Sequence, residues 1–128
     1  MRYLADTNIL LWMMSSHPRL SQNHLNVLRS PANEIYFSAT SIFEIAVKQQ
    51  IGKFDFNVDA AEIRAALIER GYRELPVTGA HAVRVLDLPL IHRDPFDRLL
   101  IAQALSEDLV LMTADHVVAD YPVQHLRV

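Results

Sequence analysis

Short apolar runs alternate along this chain with longer segments in which apolar residues recur at helical spacing. The runs at 3–5 and 35–37 are rich in β-prone residues, and the run at 109–112 is continuously apolar, which is typical of a strand buried on both faces. Weaker strand patterns follow at 74–77 and 124–127. Strands that alternate with helices in this rhythm predict a parallel sheet layered between helices.

The predicted helices are marked by residues that commonly begin or end a helix. Ser21 and Thr78 are suited to cap two of them, and Asp94 followed by Pro95 opens the most strongly indicated one. Glycines stand just past the ends of two others. The predicted helices span 9–14, a segment after Ser21, about 41–51, 59–70, 78–86 and 95–106.

Length and composition favour one domain over residues 1–128, since the chain is 51% hydrophobic and has room for a single core. There is no cysteine, so any metal must be held by Asp, Glu, His or water. The longest apolar run, Ile9 to Met14, is far too short to span a membrane. We therefore expect a soluble, cytoplasmic protein.

The charge pattern narrows the class of partner. The net charge is −3 and the twelve basic residues are scattered, which argues against a strongly basic surface that grips nucleic acid. An enzyme that meets RNA through metal ions and a few arginines remains compatible with this pattern. No glycine-rich phosphate loop is present, so an ATPase or GTPase is excluded.

Four acidic residues stand where predicted strands pass into helices or turns. Asp6 directly follows the first strand, and Asp115 follows the strand that ends near residue 112. Glu44 and Asp97 each lie one turn inside a helix. In a parallel sheet with right-handed crossovers, helices after strands begin at the same edge. These four side chains can therefore converge although they are far apart in sequence.

Each of these acids also has a purely structural interpretation. Asp6 and Asp115 are suited to cap the segments that follow them, and Glu44 stands at capping-box spacing from Ser41. Asp97 stands at a similar spacing from Asp94. Four converging carboxylates, however, repel one another strongly unless protons or cations intervene. A hard divalent cation is the simplest remedy.

Asp94 and Asp97 are close enough in sequence to compete for the inward position. Asp94 is the natural cap before Pro95, while Asp97 shares a helix face with Ile101 and Ala104. We therefore expect Asp97 to point toward the site and Asp94 to hold the start of the helix.

Ligation by oxygen atoms alone suits Mg²⁺ or Mn²⁺, which bind carboxylates, waters and substrate phosphates. Such a site generates hydroxide from water and stabilises the leaving oxygen of a phosphodiester, so the predicted chemistry is phosphodiester hydrolysis. The six histidines show no zinc-ligand spacing, and we expect His92 on the surface of a loop.

Four segments that span the chain in order resemble PIN-domain proteins, specifically the VapC-type toxins of bacterial toxin-antitoxin pairs. They are LADTN at 4–8, SIFEIAVK at 41–48, HRDPFDRLLIAQA at 92–104 and LMTAD at 111–115. The third segment is the most specific, whereas Asp-x-Asn after a strand is weak by itself.

The resemblance implies a PIN-like three-layer sandwich, with a central, mostly parallel sheet of about five strands between helices. It also implies an endoribonuclease that depends on Mg²⁺, with Mn²⁺ as an alternative. The catalytic and metal-binding acids would be Asp6, Glu44, Asp97 and Asp115, and the supporting side chains would be Asn8 and Thr113.

The resemblance further implies a homodimer and a small antitoxin protein whose C-terminal segment covers the active site. Arg93 and Arg98 flank the acids and are candidates to bind RNA phosphate or the carboxylates of that antitoxin. The alternative for each arginine is an ion pair with a neighbouring aspartate.

Two other functions stay open at this point. A phosphatase with an aspartyl nucleophile would also place Asp6 after the first strand, but such enzymes have Asp-x-Asp there, and this chain has Asn8 at the third position. A catalytically silent module could keep the fold and bind RNA or protein. The intact set of four acids argues against it.

Overall fold

The centre of the fold is a sheet of five parallel strands in the order β3-β2-β1-β4-β5. A computed structural model describes residues 1–53, 58–92 and 94–128. The predicted parallel sheet is confirmed. The strands are β1 (Arg2–Ala5), β2 (Glu34–Ser38), β3 (Arg73–Leu75), β4 (Val110–Thr113) and β5 (His125–Arg127).

Helices cover both faces of this sheet. Alternate residues of β1 enter different cores: Tyr3 and Ala5 pack with one set of helices, and Leu4 packs with another. This alternation produces the predicted three layers. The helices are α1 (Thr7–Ser15), α2 (Gln22–Arg29), α3 (Ala39–Gln50), α4 (Ala60–Glu69), α5 (Gly79–Arg84) and α6 (Pro95–Glu107), with 3₁₀ turns at Val85–Asp87 and His116–Asp120.

None of the helices in the described part of the chain combines the length and the apolar character that a membrane crossing requires.

The strand order creates a crevice at the end of the two central strands. The chain passes from β1 to β2 and β3 on one side of the sheet and then returns to build β4 and β5 on the other. Ligands of open α/β sheets bind where the strand order reverses, beyond the carboxyl ends of the strands. Asp6 directly follows β1 at this point, and its backbone N–H donates to Met112 of β4 at 3.0 Å.

Several boundaries differ from the sequence prediction by one or two residues, and two of these differences have a local cause. Helix α3 begins at Ala39 rather than near Ser41, because the Ser38 hydroxyl accepts a hydrogen bond from the Thr40 N–H and caps the helix there. Strand β3 ends at Leu75 instead of continuing to residue 77. Pro76 follows it, and proline has no N–H to donate to the ladder.

A fully buried glutamine joins the helices that carry two of the acids. The Gln103 side-chain oxygen on α6 accepts a hydrogen bond from Ser38, the cap of α3, and its amide donates to the carbonyl of Pro76 at 3.3 Å. Buried polar groups are costly unless they are paired, so this bond fixes where α3 starts relative to α6. The hydrogen bond between Gln103 and Ser38 therefore also fixes the positions of Glu44 and Asp97 relative to each other.

Candidate active site

Asp6 serves both as a helix cap and as part of the acidic cluster. It is 8% exposed, and its Oδ1 accepts a hydrogen bond from the Ile9 N–H at 3.0 Å at the start of α1. Burial raises the pKa of Asp6 to about 6, against opposing hydrogen bonds from Thr113 and Ile9. The charges of Asp115 and Glu44 raise the same pKa further. Two other acids are therefore close enough for Asp6 to sense their charge.

Glu44 is buried and held by two side chains that the sequence did not single out. Its Oε1 accepts a hydrogen bond from the Thr7 hydroxyl at 2.8 Å, and its Oε2 lies 2.7 Å from the Lys48 ammonium. The structural alternative for Glu44, a capping box with Ser41, is not formed, because Ser38 caps α3 and Ser41 lies inside the helix. The Lys48 contact follows the i, i+4 spacing of helical ion pairs, so the sequence contained a signal for it.

The assignment of Asp94 as the cap of α6 is confirmed. Its Oδ1 accepts hydrogen bonds from the N–H groups of Phe96 at 2.9 Å and Asp97 at 3.4 Å, and Pro95 occupies the first turn. Burial raises the pKa of Asp97 to about 7, and the charge of the neighbouring Asp94 is the next cause.

The charges of Glu44 and Asp6 also raise the pKa of Asp97, while His92 lowers it. Asp97 therefore faces the acids, as predicted.

Asp115 and Thr113 complete the edge of the crevice at the end of β4. Asp115 caps the following 3₁₀ turn through an Oδ1 bond from the Val117 N–H at 2.9 Å, and its own N–H donates to Thr113 Oγ1 at 3.0 Å. Thr113 is fully buried and also bonds Asp6. Thr113 therefore contacts two of the acids, and its supporting role in the site stays a prediction. Asn8, the other predicted supporting residue, is exposed on the first turn of α1.

His92 belongs to the acidic cluster, so its predicted place on a loop surface is wrong. Its Nε2 lies 3.0 Å from Asp97 Oδ2 and 3.1 Å from Asp115 Oδ2. The loop is drawn inward because the His92 backbone N–H donates to the Tyr121 hydroxyl at 2.6 Å. Tyr121 lies far along the chain, so no local sequence signal marked His92.

Arg98 faces the interior rather than a substrate or a partner. It is 8% exposed and donates to the carbonyls of Pro89 at 2.8 Å and Val85 at 3.2 Å and to the Tyr121 hydroxyl at 3.3 Å. The predicted contact with phosphate or antitoxin is therefore wrong for Arg98. No ion pair with an aspartate is found for it within residues 1–53, 58–92 and 94–128. Arg93 lies outside the described residues.

The donor set fits a hard divalent cation. Ligand atoms of His92, Asp97 and Asp115 lie within 4.8 Å of one another, and the charges of Asp6 and Glu44 reach the same cluster. The pKa values of Asp6, about 6, and Asp97, about 7, show that this cluster is a poor host for negative charge unless a cation balances it. Carboxylate oxygens are the ligands that Mg²⁺ and Mn²⁺ prefer.

A family model described as PIN domain matches residues 3–123, which is nearly the whole chain. The chain belongs to the PIN-domain family. A comparison with curated proteins finds no match.

Solved structures of similar fold come from several bacteria. A VapBC2 complex from Rickettsia felis, bound to a DNA fragment from its promoter, has a TM-score of 0.76 at 18% identity, and the match covers 99% of this chain and 98% of that one. VapBC-1 from nontypeable Haemophilus influenzae has a TM-score of 0.64 at 19% identity with the same coverage. VapBC-5 from Mycobacterium tuberculosis has a TM-score of 0.62 at 19% identity, again over 99% and 98%. These likenesses extend the PIN fold over the full chain.

The raised pKa values of Asp6 and Asp97 predict how the metal-free protein responds to pH. A carboxyl whose pKa rises on folding stabilises the folded state at low pH, and this contribution is lost as pH rises through the folded pKa. This stabilising contribution is lost between the ordinary aspartate pKa of 3.8 and the raised pKa, which is about 6 for Asp6 and about 7 for Asp97. We expect the melting temperature of the wild type to fall between about pH 4 and about pH 7, and to fall less in Asp97→Asn.

Thermal melts in a chelator across this pH range measure the effect. The exposed Asp87→Asn is the matched control and should follow the wild type. If Asp97→Asn and wild type have the same pH dependence, the burial argument for Asp97 is wrong.

The separate roles of Asp94 and Asp97 give a second prediction. Loss of the α6 cap in Asp94→Ala should lower the free energy of unfolding by about 1 kcal/mol and the melting temperature by a few degrees. Asp59 caps α4 with the same two-bond pattern, so Asp59→Ala should cost a similar amount. Chemical denaturation of both variants measures these values. If Asp94→Ala is as stable as the wild type and Asp97→Asn is destabilised, the assignment of Asp94 as the helix cap and Asp97 as the site residue is reversed.

Proposed function

We propose that this PIN-domain protein is a divalent-metal-dependent endoribonuclease and the toxin of a toxin-antitoxin pair. The observation that supports the proposal most strongly is the convergence of four carboxylates, each from a different element, at the switch point of the sheet. Their charges are mutually unfavourable in a metal-free, partly buried site, which is the arrangement expected of a metal centre. The residues are Asp6, Glu44, Asp97 and Asp115.

The bound ion, Mg²⁺ or Mn²⁺, would supply an activated water and would neutralise charge on the scissile phosphodiester. The protein itself holds the acidic side chains in fixed orientations. Thr7 and Lys48 hold the two oxygens of Glu44, and Thr113 braces both Asp6 and Asp115. Side chains that hold ligands in place are commonly needed for full metal affinity.

The choice of RNA as substrate rests on the resemblance of the sequence segments to VapC-type toxins. A net charge of −3 is compatible with an enzyme that meets the phosphate backbone mainly through metal ions. Such an enzyme would act in the cytoplasm, where RNA and a small antitoxin are both available.

The proposed antitoxin partner is supported by the structures of similar fold, several of which are VapBC or toxin-antitoxin complexes. An antitoxin that silences this protein would have to shield the acids or compete for the ion.

The proposed homodimer is supported by an exposed apolar surface. Exposed apolar side chains gather on α5 and the segment after it, and they are Val83, Leu86, Leu90 and Ile91, with exposures of 65%, 84%, 93% and 42%.

Cleavage of RNA is the direct test. We expect purified protein to cut single-stranded RNA with Mg²⁺ or Mn²⁺ and to stop in excess chelator. Glu44→Gln should reduce the rate by about two orders of magnitude with little change in folding, because the neutral amide cannot balance a cation. The exposed Glu62 on α4 provides the matched control, and Glu62→Gln should cut RNA at the wild-type rate.

The outcomes separate the candidate functions. Cleavage that persists in chelator would overturn the metal-dependent mechanism, and full activity of Glu44→Gln would return Glu44 to a structural role. A folded wild type that binds RNA and leaves it intact with either ion favours the catalytically silent module. Release of phosphate from a phosphomonoester, with RNA left intact, favours the phosphatase.

The proposed dimer gives a separate prediction. The substitution Leu86→Glu with Leu90→Glu should convert a dimer of the wild type into a monomer, because charge on the apolar surface opposes its burial. Ile68→Glu places one such charge on an exposed position of α4 and should leave the dimer intact, and each single variant, Leu86→Glu or Leu90→Glu, is the comparison of equal charge. Light scattering after size-exclusion chromatography measures the mass. A wild type that is monomeric at high concentration contradicts the proposed homodimer.

A further inference from the structure

His92 contacts the same carboxylate oxygens that a bound ion would need. Its Nε2 lies 3.0 Å from Asp97 Oδ2 and 3.1 Å from Asp115 Oδ2. These ligand atoms lie within 4.8 Å of one another. The imidazole is therefore either a third ligand for the ion or a group that occupies the place of the ion.

The other ring nitrogen of His92 decides between these roles. Nδ1 accepts a hydrogen bond from the backbone N–H of Asp94 at 3.2 Å. A nitrogen that accepts a hydrogen bond carries a lone pair, so the hydrogen of the neutral ring resides on Nε2. A ring nitrogen that carries hydrogen donates to carboxylates and has no lone pair to offer a metal.

The backbone around His92 holds the ring in this orientation. The His92 N–H donates to the Tyr121 hydroxyl at 2.6 Å, and the same hydroxyl accepts a bond from the buried Arg98 at 3.3 Å. Arg98 also binds the carbonyl of Pro89, three residues before His92. The ring is thus supported from α6 and from the 3₁₀ turn after β4.

We propose that His92 is a placeholder in the metal site. Its Nε2–H donates to Asp115 Oδ2 and lies 3.0 Å from Asp97 Oδ2, so that it would keep both carboxylates together until a divalent cation displaces the ring. The role rests on the proposed function for the presence of that cation. It follows that His92 preserves the shape of the site and weakens the affinity for the ion, because the ion must displace a hydrogen bond to one charged acceptor and a close contact with a second.

Binding of Mn²⁺, measured by electron paramagnetic resonance of the free ion at one neutral pH, tests this role. Loss of the donor in His92→Ala should tighten Mn²⁺ binding about tenfold, since hydrogen bonds to charged groups no longer compete. His92→Gln retains an N–H at similar reach and should bind Mn²⁺ nearly as the wild type does. The exposed His116→Ala is the matched control and should leave the affinity unchanged.

A second readout examines the wild type alone. The spin-echo spectrum of bound Mn²⁺ should lack the coupling of a directly bonded nitrogen. Such a coupling, or weaker Mn²⁺ binding by His92→Ala, would show that His92 is a ligand and would overturn the proposal. Equal affinity of His92→Ala and wild type would also overturn it and leave His92 a loop support.

The proposed function and the role of His92 fail in different ways. A wild type that binds no Mn²⁺ removes the metal centre itself. If the wild type binds Mn²⁺ and cuts RNA, but His92→Ala binds Mn²⁺ equally well or more weakly, only the proposed role of His92 is wrong.

Discussion

The repulsion between four carboxylates in a partly buried crevice is the constraint on which this site depends. The fold meets it by giving most of the acids a compensating donor in the metal-free state. Glu44 has Thr7 and Lys48, Asp97 has His92, and Asp115 has both His92 and a backbone N–H. The remaining imbalance appears as the raised pKa values of Asp6 and Asp97, about 6 and about 7. A site built in this way is suited to bind a cation.

Capping and metal binding are compatible roles for one aspartate, because the carboxylate has two oxygens. Asp115 uses Oδ1 to cap a 3₁₀ turn and presents Oδ2 to His92. Asp6 likewise caps α1 through Oδ1. Asp94, in contrast, accepts two N–H donors on one oxygen at the start of α6 and acts there as the helix cap. When an aspartate at the end of a central strand caps the next helix or turn through one oxygen, its orientation is fixed. Its second oxygen can still bind a cation.

Helix α6 organises the site through two buried polar side chains. Gln103 ties it to the start of α3, and Arg98 ties it to the segment before His92 and to Tyr121. Each side chain satisfies groups that would otherwise be buried without partners. The four acids lie on separate elements, and these two residues hold three of those elements in register.

Local sequence patterns were enough to predict the parallel sheet, most helix starts and the place of the four acids at the starts of helices or turns. These features depend on residues close together in the chain: apolar runs such as 109–112, Asp94 before Pro95, and Asp6 directly after a strand. Glycine stops were also local, and Gly52 and Gly71 adopt the positive φ expected after a helix.

The positions of His92 and Arg98 and the start of α3 depend instead on tertiary contacts. Tyr121 draws His92 into the site and shares in burying Arg98, and Ser38 caps α3 while it bonds Gln103. Each of these outcomes depends on a partner far away in sequence. The energy of a buried hydrogen bond is decided by which groups the fold brings together, and local patterns carry no information about that.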